Sequence, residues 1–451
     1  MIDFTLTDEQ LALQMKSREF AHREILPVAW YFDEMDEMPL YVLERAYKEG
    51  LMNLGIPKKY GGQGHGMLDA SIAVEEFASC GPGLATSIFD NGLGQEPLIL
   101  STNEIAKEKY LTDIIKNFKL ISFATSETGM GSDVAGMRCK ATPDGKDYIL
   151  NGTKYWVTNG GFADYATIFA TVDRKLRHKG IVGVVIETDW DGVSVVDHIP
   201  KMGQRTSNTV ALKFDNVRVP AENVLGREGG EGFGLAMNVF SHTRPMIGAF
   251  AVGAARSAME FAMQHAMNRK AFGQPIGAFQ GIQFKIAEMF QKVETSRLMI
   301  WRSAWEADQG RDCTLWASMT KFYTTEAAFE VANDALQILG GYGYTKYFPV
   351  EKLLRDIRLL QIYEGTNQVQ RMIVLKYLMK GGFQPIMPKM EDLPRLRAKD
   401  VKEAARKGME QQTVWRCKIC GHLHYGDEPP EECPVCRMKK GAFRKVWPKK
   451  E

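Results

Sequence analysis

Four of the chain's seven cysteines fall in its last 35 residues, as Cys417-x-x-Cys420 and Cys433-Pro-x-Cys436. Two such pairs separated by a short loop give four thiolates that can close on one metal ion. The tail is therefore expected to be a small metal-clipped domain. The 400 residues before it carry no such pattern and read as a different protein. At 451 residues the chain is too long for one simple core, and two to four domains are expected.

Hydrophobic periodicity divides the body in three. Residues 1–120 read as helix, opened by Thr7-Asp8-Glu9-Gln10 as an N-cap with an acidic first turn. Leu11, Met15, Phe20 and Ile25 follow at roughly helical spacing, and Glu75-Glu76-Phe77-Ala78 lies in a further helix broken by Gly81-Pro82-Gly83. The run Tyr60 to Gly66 reads as a flexible loop without phosphate-loop spacing. Residues 121–230 turn β-rich. Asp144-Gly145 and Asn151-Gly152 are hairpin dipeptides between runs such as Tyr155-Trp156-Val157-Thr158, Ile181–Ile186 and Val193–Val196. Residues 231–380 return to long helices, with Val252, Ala255, Met259, Ala262, Met263 and Ala266 on one face. A linker over 381–412 is punctuated by Pro385, Pro388 and Pro394, then charged and helix-compatible from Arg397 to Gln412. As a coil it would span roughly 30 Å, enough for the tail, 413–451, to reach the body.

A net charge of +2 gives no bulk attraction to nucleic acid or anionic membrane. The lysines from Lys439-Lys440 to Lys449-Lys450 read as a solvated terminus. No apolar run is long enough to span a bilayer, and Met1 to Thr5 shows no secretory pattern. Cys80, Cys139 and Cys313 are scattered, without a disulfide framework. Together with reduced CxxC pairs, this points to a cytoplasmic protein.

Three segments bear chemistry. Phe123-Ala124-Thr125-Ser126-Glu127-Thr128-Gly129-Met130-Gly131-Ser132-Asp133 starts as a strand and ends in small residues that let backbone approach a ligand, or simply make a turn. Trp156 and Thr158 offer an indole wall and a hydroxyl, or a buried strand aromatic. In Tyr363-Glu364-Gly365-Thr366-Asn367-Gln368, Thr366 can cap the next helix, with Val369, Ile373 and Leu375 on its buried face. Glu364 would then stand at a bundle cavity, where burial makes a carboxylate a useful base, or else in a solvated loop.

Together these segments resemble the acyl-CoA dehydrogenases over about residues 1–380. Further matches are Met202-Gly203-Gln204-Arg205, Thr243-Arg244-Pro245, Arg269-Lys270-Ala271-Phe272-Gly273, Phe279-Gln280 and Gln337-Ile338-Leu339-Gly340-Gly341. The likeness is greatest to the short- and medium-chain branch. It implies a multidomain α+β fold: an N-terminal helical domain, a middle β barrel and a C-terminal four-helix bundle, with FAD in the cleft. It also implies that Glu364 removes the α-proton of an acyl-CoA while the β-hydride goes to flavin N5. A thioester α-C–H is too weak an acid for a carboxylate unless the carbonyl oxygen is polarised. In the family a flavin ribityl hydroxyl and the base's own N–H do this. By the same resemblance Phe123, Thr125, Ser126, Trp156 and Thr158 would meet the isoalloxazine and ribityl groups. Ser132 would meet flavin phosphate or the CoA arm. Arg269, Phe272, Gln280, Gln337, Gly340 and Gly341 would hold the diphosphate and adenine, some across a subunit interface of a homotetramer. Thr366 and Gln368 would also touch FAD, Arg244 would reach the CoA side, and Gly365 the acyl chain.

The chain departs from the family in places. Ser126-Glu127-Thr128 stands where Thr-Glu-Pro is usual, and Ser241-His242 precedes Thr243 where an acidic residue is common. Phe89 falls in the helix that lines the acyl pocket in relatives, so a short substrate of about four to six carbons is expected, the ring acting as a pocket floor.

Trp415 to Gly421, Cys433 to Cys436 and Phe443 resemble the rubredoxin-like module that ends rubrerythrins. The resemblance implies one iron held by Cys417, Cys420, Cys433 and Cys436, carrying one electron; a structural zinc ribbon for protein interaction is the alternative. Arg437 replaces the glycine frequent after the last cysteine, and His422 and His424 read as surface residues. The expected function is oxidation of a short acyl-CoA to the 2-enoyl-CoA, or the reverse reduction, exchanging electrons with an electron-transferring flavoprotein.

Overall fold

The computed structural model describes residues 4–382, 403 and 413–447. It divides into two compact units, Met1–Leu378 and Met379–Glu451. The linker prolines, the stretch from Arg397 to Gln412 apart from Glu403, Met1 to Asp3 and Lys449-Lys450 lie outside the described residues.

The first unit opens with helices α1 (Asp8–Phe20), α2 (Ala29–Met35), α3 (Leu40–Lys48), α4 (Met67–Cys80), α5 (Pro82–Leu100), α6 (Glu104–Ala106) and α7 (Thr112–Lys116). Thr7 and Gln10 form a reciprocal capping box at α1. Phe20 and Ile25 are buried, whereas Leu11 and Met15 are exposed. The inward face of α1 runs instead through Ser17, Phe20 and the following Ala21. The loop over 60–66 is held by backbone hydrogen bonds. Gly64 N–H donates to Ile56 O and His65 N–H to Leu54 O. A Cβ on Gly62 would meet Ile56 O at 2.1 Å, which admits only glycine there. In α4, Glu75 and Glu76 are buried, Glu75 paired with Arg256 and Arg297 and Glu76 with Arg256 and Arg18.

The middle part forms one sheet from β1 (Ile121–Ala124), β2 (Lys140–Asp144), β3 (Asp147–Thr158), β4 (Tyr165–Thr171), β5 (Ile181–Glu187), β6 (Val193–His198), β7 (Thr209–Val219) and β8 (Val224–Gly226). The order is β6-β7-β3-β2-β4-β5-β8, with β1 parallel to β4. Asp144 pairs with Asp147 across the expected hairpin, where Gly145 takes φ 65°. Asn151-Gly152 is not a second turn. It lies inside β3 at a register shift against β7, with Gly152 at φ 144°. Close approach of Cys139 explains the residue: a Cβ on Gly152 would meet Cys139 Cα at 2.7 Å.

The bundle comprises α8 (Glu231–Asn268), a short hairpin of β9 (Lys270–Ala271) and β10 (Gln274–Pro275), then α9 (Gln280–Asp308), α10 (Thr314–Leu339), α11 (Val350–Leu360) and α12 (Asn367–Tyr377). Val252, Ala255, Met259, Ala262 and Ala266 are buried along α8 and join the core shared with α4, α5 and α10. No helix among the described residues is long and apolar enough to cross a membrane.

The second unit is a three-stranded antiparallel sheet, β12 (Leu423–Tyr425), β11 (Val414–Cys417) and β13 (Phe443–Trp447) in that order. Its core is Cys417, Cys433 and Phe443, with Trp415 packed alongside.

Candidate active site and metal centre

The loop between α11 and α12 carries Glu364 at φ 55° and Gly365 at φ 85°. A left-handed glutamate is disfavoured and persists only where its surroundings hold it. Three side chains do so. Arg244 Nε donates to Glu364 O at 3.2 Å, Gln370 Nε2 donates to the same oxygen at 3.3 Å, and Lys321 Nζ donates to Gly365 O at 2.9 Å. Thr366 caps α12, its hydroxyl accepting from Val369 N–H. The inward residues of α12 are polar, Asn367 and Gln370, whereas Leu375 is exposed. Val369 and Ile373 are half-buried, so the expected apolar face is only partly covered, because α12 braces the loop rather than filling a core.

The carboxylate of Glu364 accepts from Thr243 Oγ1 at 3.3 Å. Burial pushes its pKa up to about 7 against the opposing pull of Arg244, Thr243 and Lys321. Lys321, fully buried in α10, is pushed down to about 7, again chiefly by burial. Among the described residues the Glu364 N–H finds no acceptor. One residue thus offers a base near neutrality and a free donor beside it, the pair that α-proton removal from a thioester requires.

The sheet contributes the opposite wall. Phe123 at the end of β1 meets Phe240 of α8 edge-on at 5.5 Å, and the Arg244 guanidinium lies 5.8 Å from the Phe240 ring centre. Arg244, expected at the CoA side, is buried against the Glu364 loop. A break in register between Lys154 and Val157 turns Trp156 outward at φ 64°, leaving it 59% exposed. Tyr155 N–H donates to Ser126 O, and Asn159 Nδ2, next to Thr158, donates to Ser87 O of α5. These bonds join the strand end carrying Phe123, Thr125 and Ser126 to the segment carrying Trp156 and Thr158, and that segment to α5. An uncovered indole beside strand-end hydroxyls and backbone suits a flat, polar-edged ring system such as flavin.

Lys154 and Glu127, not anticipated as site residues, lock this segment. Lys154 Nζ donates to Glu127 Oε1 and Thr125 O, both at 2.8 Å, while Glu127 accepts from the N–H groups of Arg138 and Cys139. A lone lysine in a β run, like Lys321 in an apolar helix, was the available signal. Ser132 is exposed in the loop beyond.

A second group lies elsewhere. Arg269 caps α8, Gln280 opens α9, Gln337 is in the last turn of α10, and Gly340 ends it at φ 59° with Gly341 next. Phe272 is 95% exposed, its ring on Phe279, and the His265–Tyr342 ring contact joins the α8 and α10 ends. Twenty-five residues of helix separate Arg244 from Arg269, roughly 38 Å at 1.5 Å per residue. These six residues therefore form a second cluster distant from Glu364. Gln368 is exposed on the first turn of α12. Phe89 is buried with its ring on Phe77 at 5.2 Å. It also lines a cavity of about 200 Å³, shared with Glu96, His242, Met246 and Asp308.

In the second unit the Sγ atoms of Cys417, Cys420, Cys433 and Cys436 all lie within 4.8 Å of one another, a four-thiolate metal cage. The two knuckles match. Gly421 N–H donates to Cys417 O and Arg437 N–H to Cys433 O, with φ 78° and 57°. Arg437 therefore takes the left-handed place glycine usually fills. Backbone N–H groups of Cys420 and Ile419 help pull the Cys417 thiol down to about 7. His422 and His424 stand outside the cage.

Family models for the acyl-CoA dehydrogenase N-terminal, middle and C-terminal domains match residues 7–117, 122–217 and 230–379. A model for the rubrerythrin rubredoxin-like domain matches 415–444. An acyl-CoA dehydrogenase of Bacillus subtilis is 40% identical over 379 residues, 83% of this chain and 99% of that protein. Butyryl-CoA dehydrogenase from Megasphaera elsdenii superposes with TM-score 0.81 at 33% identity, over 84% of this chain and 100% of that one. A chain from a structural study of the electron transferring flavoprotein of Acidaminococcus fermentans superposes with TM-score 0.82, again at 33% identity over 84% and 100%. The chain therefore belongs to the acyl-CoA dehydrogenase family, flavin-dependent oxidoreductases acting on acyl-CoA, and bears a rubredoxin-like domain at its C-terminus.

Proposed function

We propose that the protein interconverts a short-chain acyl-CoA and its 2-enoyl-CoA, with Glu364 as the base. The observation that carries this is Glu364 itself: a carboxyl near neutrality whose own N–H lacks an acceptor. Glu364 takes the α-proton onto its carboxylate, and Thr243 steadies the oxygen it bonds. The Glu364 N–H donates to the thioester oxygen as negative charge grows there, and Gly365 abuts the acyl chain. Arg244, Gln370 and Lys321 keep that N–H aimed by holding the carbonyls around it. FAD, when bound, supplies the hydride acceptor. Phe123, Thr125, Ser126, Trp156, Thr158, Thr366 and Gln368 would hold its ring and ribityl end, and Ser132 its phosphate or the CoA arm.

Arg269, Phe272, Gln280, Gln337, Gly340 and Gly341, at the C-terminal ends of α8 and α10 and the start of α9, lie too far from Glu364 to serve the same flavin. They would hold the diphosphate and adenine, some of them across a subunit interface, which fits a homotetramer. Phe89, fixed against Phe77, supports a short acyl chain. Comparing butyryl-CoA with octanoyl-CoA tests this; octanoyl preference refutes it.

In the rubredoxin-like domain the proposed metal is one iron, relaying electrons between flavin and an electron-transferring flavoprotein in the cytoplasm. Tethering raises the local concentration of this second centre. The deciding measurement is a visible spectrum with metal analysis before and after adding butyryl-CoA. A red ferric chromophore and bleaching flavin are expected; a colourless zinc site refutes the relay, and unbleached flavin refutes the dehydrogenase. Deleting 413–451 is expected to slow turnover with the natural partner.

A further inference from the structure

The thiolate cage is open on one side. Cys417 and Cys433, the first cysteine of each knuckle, are buried at 1% and 0% exposure, whereas Cys420 is exposed and Cys436 half-buried. Cys420 Sγ lies 3.6 Å from Cys433 Sγ, and Cys417 Sγ 3.6 Å from Cys436 Sγ, so the two knuckles meet face to face. Ile419 and Val435 each stand just before the outer cysteine of a knuckle, and both are 65% exposed. Their N–H groups turn inward to the sulfurs of Cys417 and Cys433, while their side chains stay in solvent. Two branched aliphatic residues at matching places thus flank the open edge as a patch rather than as scattered exposure.

Cations surround that edge. Lys418 adjoins Ile419 and Arg437 adjoins Cys436 in the chain, and both are exposed. The Arg416 guanidinium reaches the end of the first knuckle, where a Cβ on Gly421 would meet its Nη2 at 3.6 Å. Among the described residues, Arg416, Lys418 and Arg437 have no ion-pair partner. The acids of the domain are placed otherwise. Glu428 and Glu431 pair with Lys440, and Glu432 with Lys439. Asp427 follows Tyr425, at the end of β12 that pairs with Val414, away from Cys417. The open edge therefore carries uncompensated positive charge around an apolar centre.

We propose that this edge, Ile419 and Val435 inside a rim of Arg416, Lys418 and Arg437, is a docking surface for an acidic electron-carrier protein. This rests on the cage holding iron and adds which kind of partner it exchanges electrons with. Protein interfaces set apolar residues at the centre and charges at the rim, where charge speeds encounter and selects the partner. The exposed Cys420 brings the metal site to the contact itself. A second copy of this chain would set the same cations against one another. Nucleic acid fits less well, because the centre is aliphatic and offers no ring on which a base could stack.

The test uses the full-length protein and two forms of one haem carrier, basic cytochrome c and the same cytochrome succinylated on its lysines, which is acidic. One electron leaves the ferrous cage, which becomes ferric, and reduces the ferric haem to ferrous. Protein lacking 413–451 gives the flavin's own contribution, for subtraction. Calorimetric binding of both oxidised cytochromes to the oxidised protein is read separately. At low salt the acidic form should bind tighter and be reduced faster by about 10-fold or more, and that advantage should be largely lost at about 1 M salt. Arg416→Glu with Lys418→Glu should reverse the preference. Arg437→Gly, which removes a charge and suits the left-handed knuckle, should weaken it. Ile419→Ser with Val435→Ser should weaken binding of both forms. Metal content normalises every variant. Preference for the basic form, a preference that ignores salt, or one unchanged in metal-loaded charge variants overturns the proposal, as does tighter binding of a DNA duplex than of the acidic cytochrome. An iron cage that reduces both forms equally defeats this inference alone. A zinc cage that reduces neither defeats the iron reading, and this inference with it.

Discussion

Glu364→Gln separates stability from catalysis. The carboxyl moves from an ordinary 4.5 to about 7 on folding. Its folded pKa is raised, so the folded state binds the proton more tightly than the unfolded chain. The ionised carboxylate therefore destabilises the fold, fully above pH 7 and not at all below pH 4.5. At about 1.4 kcal/mol per tenfold in proton affinity, the penalty at pH 8 is about 3 kcal/mol. Water reaching the half-buried group trims this toward about 2 kcal/mol. Glutamine keeps the shape and cannot ionise. For a unit of this size the unfolding entropy is on the order of 0.8 kcal/mol per kelvin. Removing the charge should then raise Tm by about 2.5–4 °C at pH 8 and by about 1 °C or less at pH 5. The assay is thermal unfolding of flavin-stripped wild type and variant at both pH values. In the flavin-loaded variant, bleaching by acyl-CoA should slow by roughly 10²–10⁴-fold or more. A Tm gain equal at both pH values, a loss at pH 8, or bleaching at the wild-type rate would refute the reasoning.

Lys154→Met leaves Glu127 buried without its cation, which is expected to cost about 3–5 kcal/mol and to loosen the 125–131 segment. Flavin released on dilution measures the second effect, and full retention would contradict the role given to the pair. Gly152→Ala should lower Tm sharply, because the new Cβ meets Cys139 Cα at 2.7 Å and φ is 144°. Arg437→Gly should relieve about 1 kcal/mol of left-handed strain in the second knuckle. Slower loss of metal to a chelator would show it.

Local signals read correctly wherever the physics was local. Thr7 and Thr366 cap helices through hydroxyls three residues from the amides they satisfy. Asp144-Gly145 turns a hairpin whose geometry needs only its own dihedrals. Asn151-Gly152 carries the same dipeptide signal and was misleading. Its glycine answers to Cys139 across the sheet, which no local window contains. Leu11, Met15 and Leu375 fit helical spacing, yet each faces outward, because the partner helix decides which stripe is covered.

By itself the sequence determined the element order, the four-cysteine cage and the identity of Glu364 as the candidate base. Those depend on residue type, spacing and likeness to relatives. Tertiary structure alone supplied what makes the site work. It placed Lys321, Arg244 and Gln370 under the Glu364 loop and turned Trp156 out of β3. Desolvation, left-handed backbone and unmatched hydrogen bonds arise from neighbours hundreds of residues apart in the chain, and only folding brings those neighbours together.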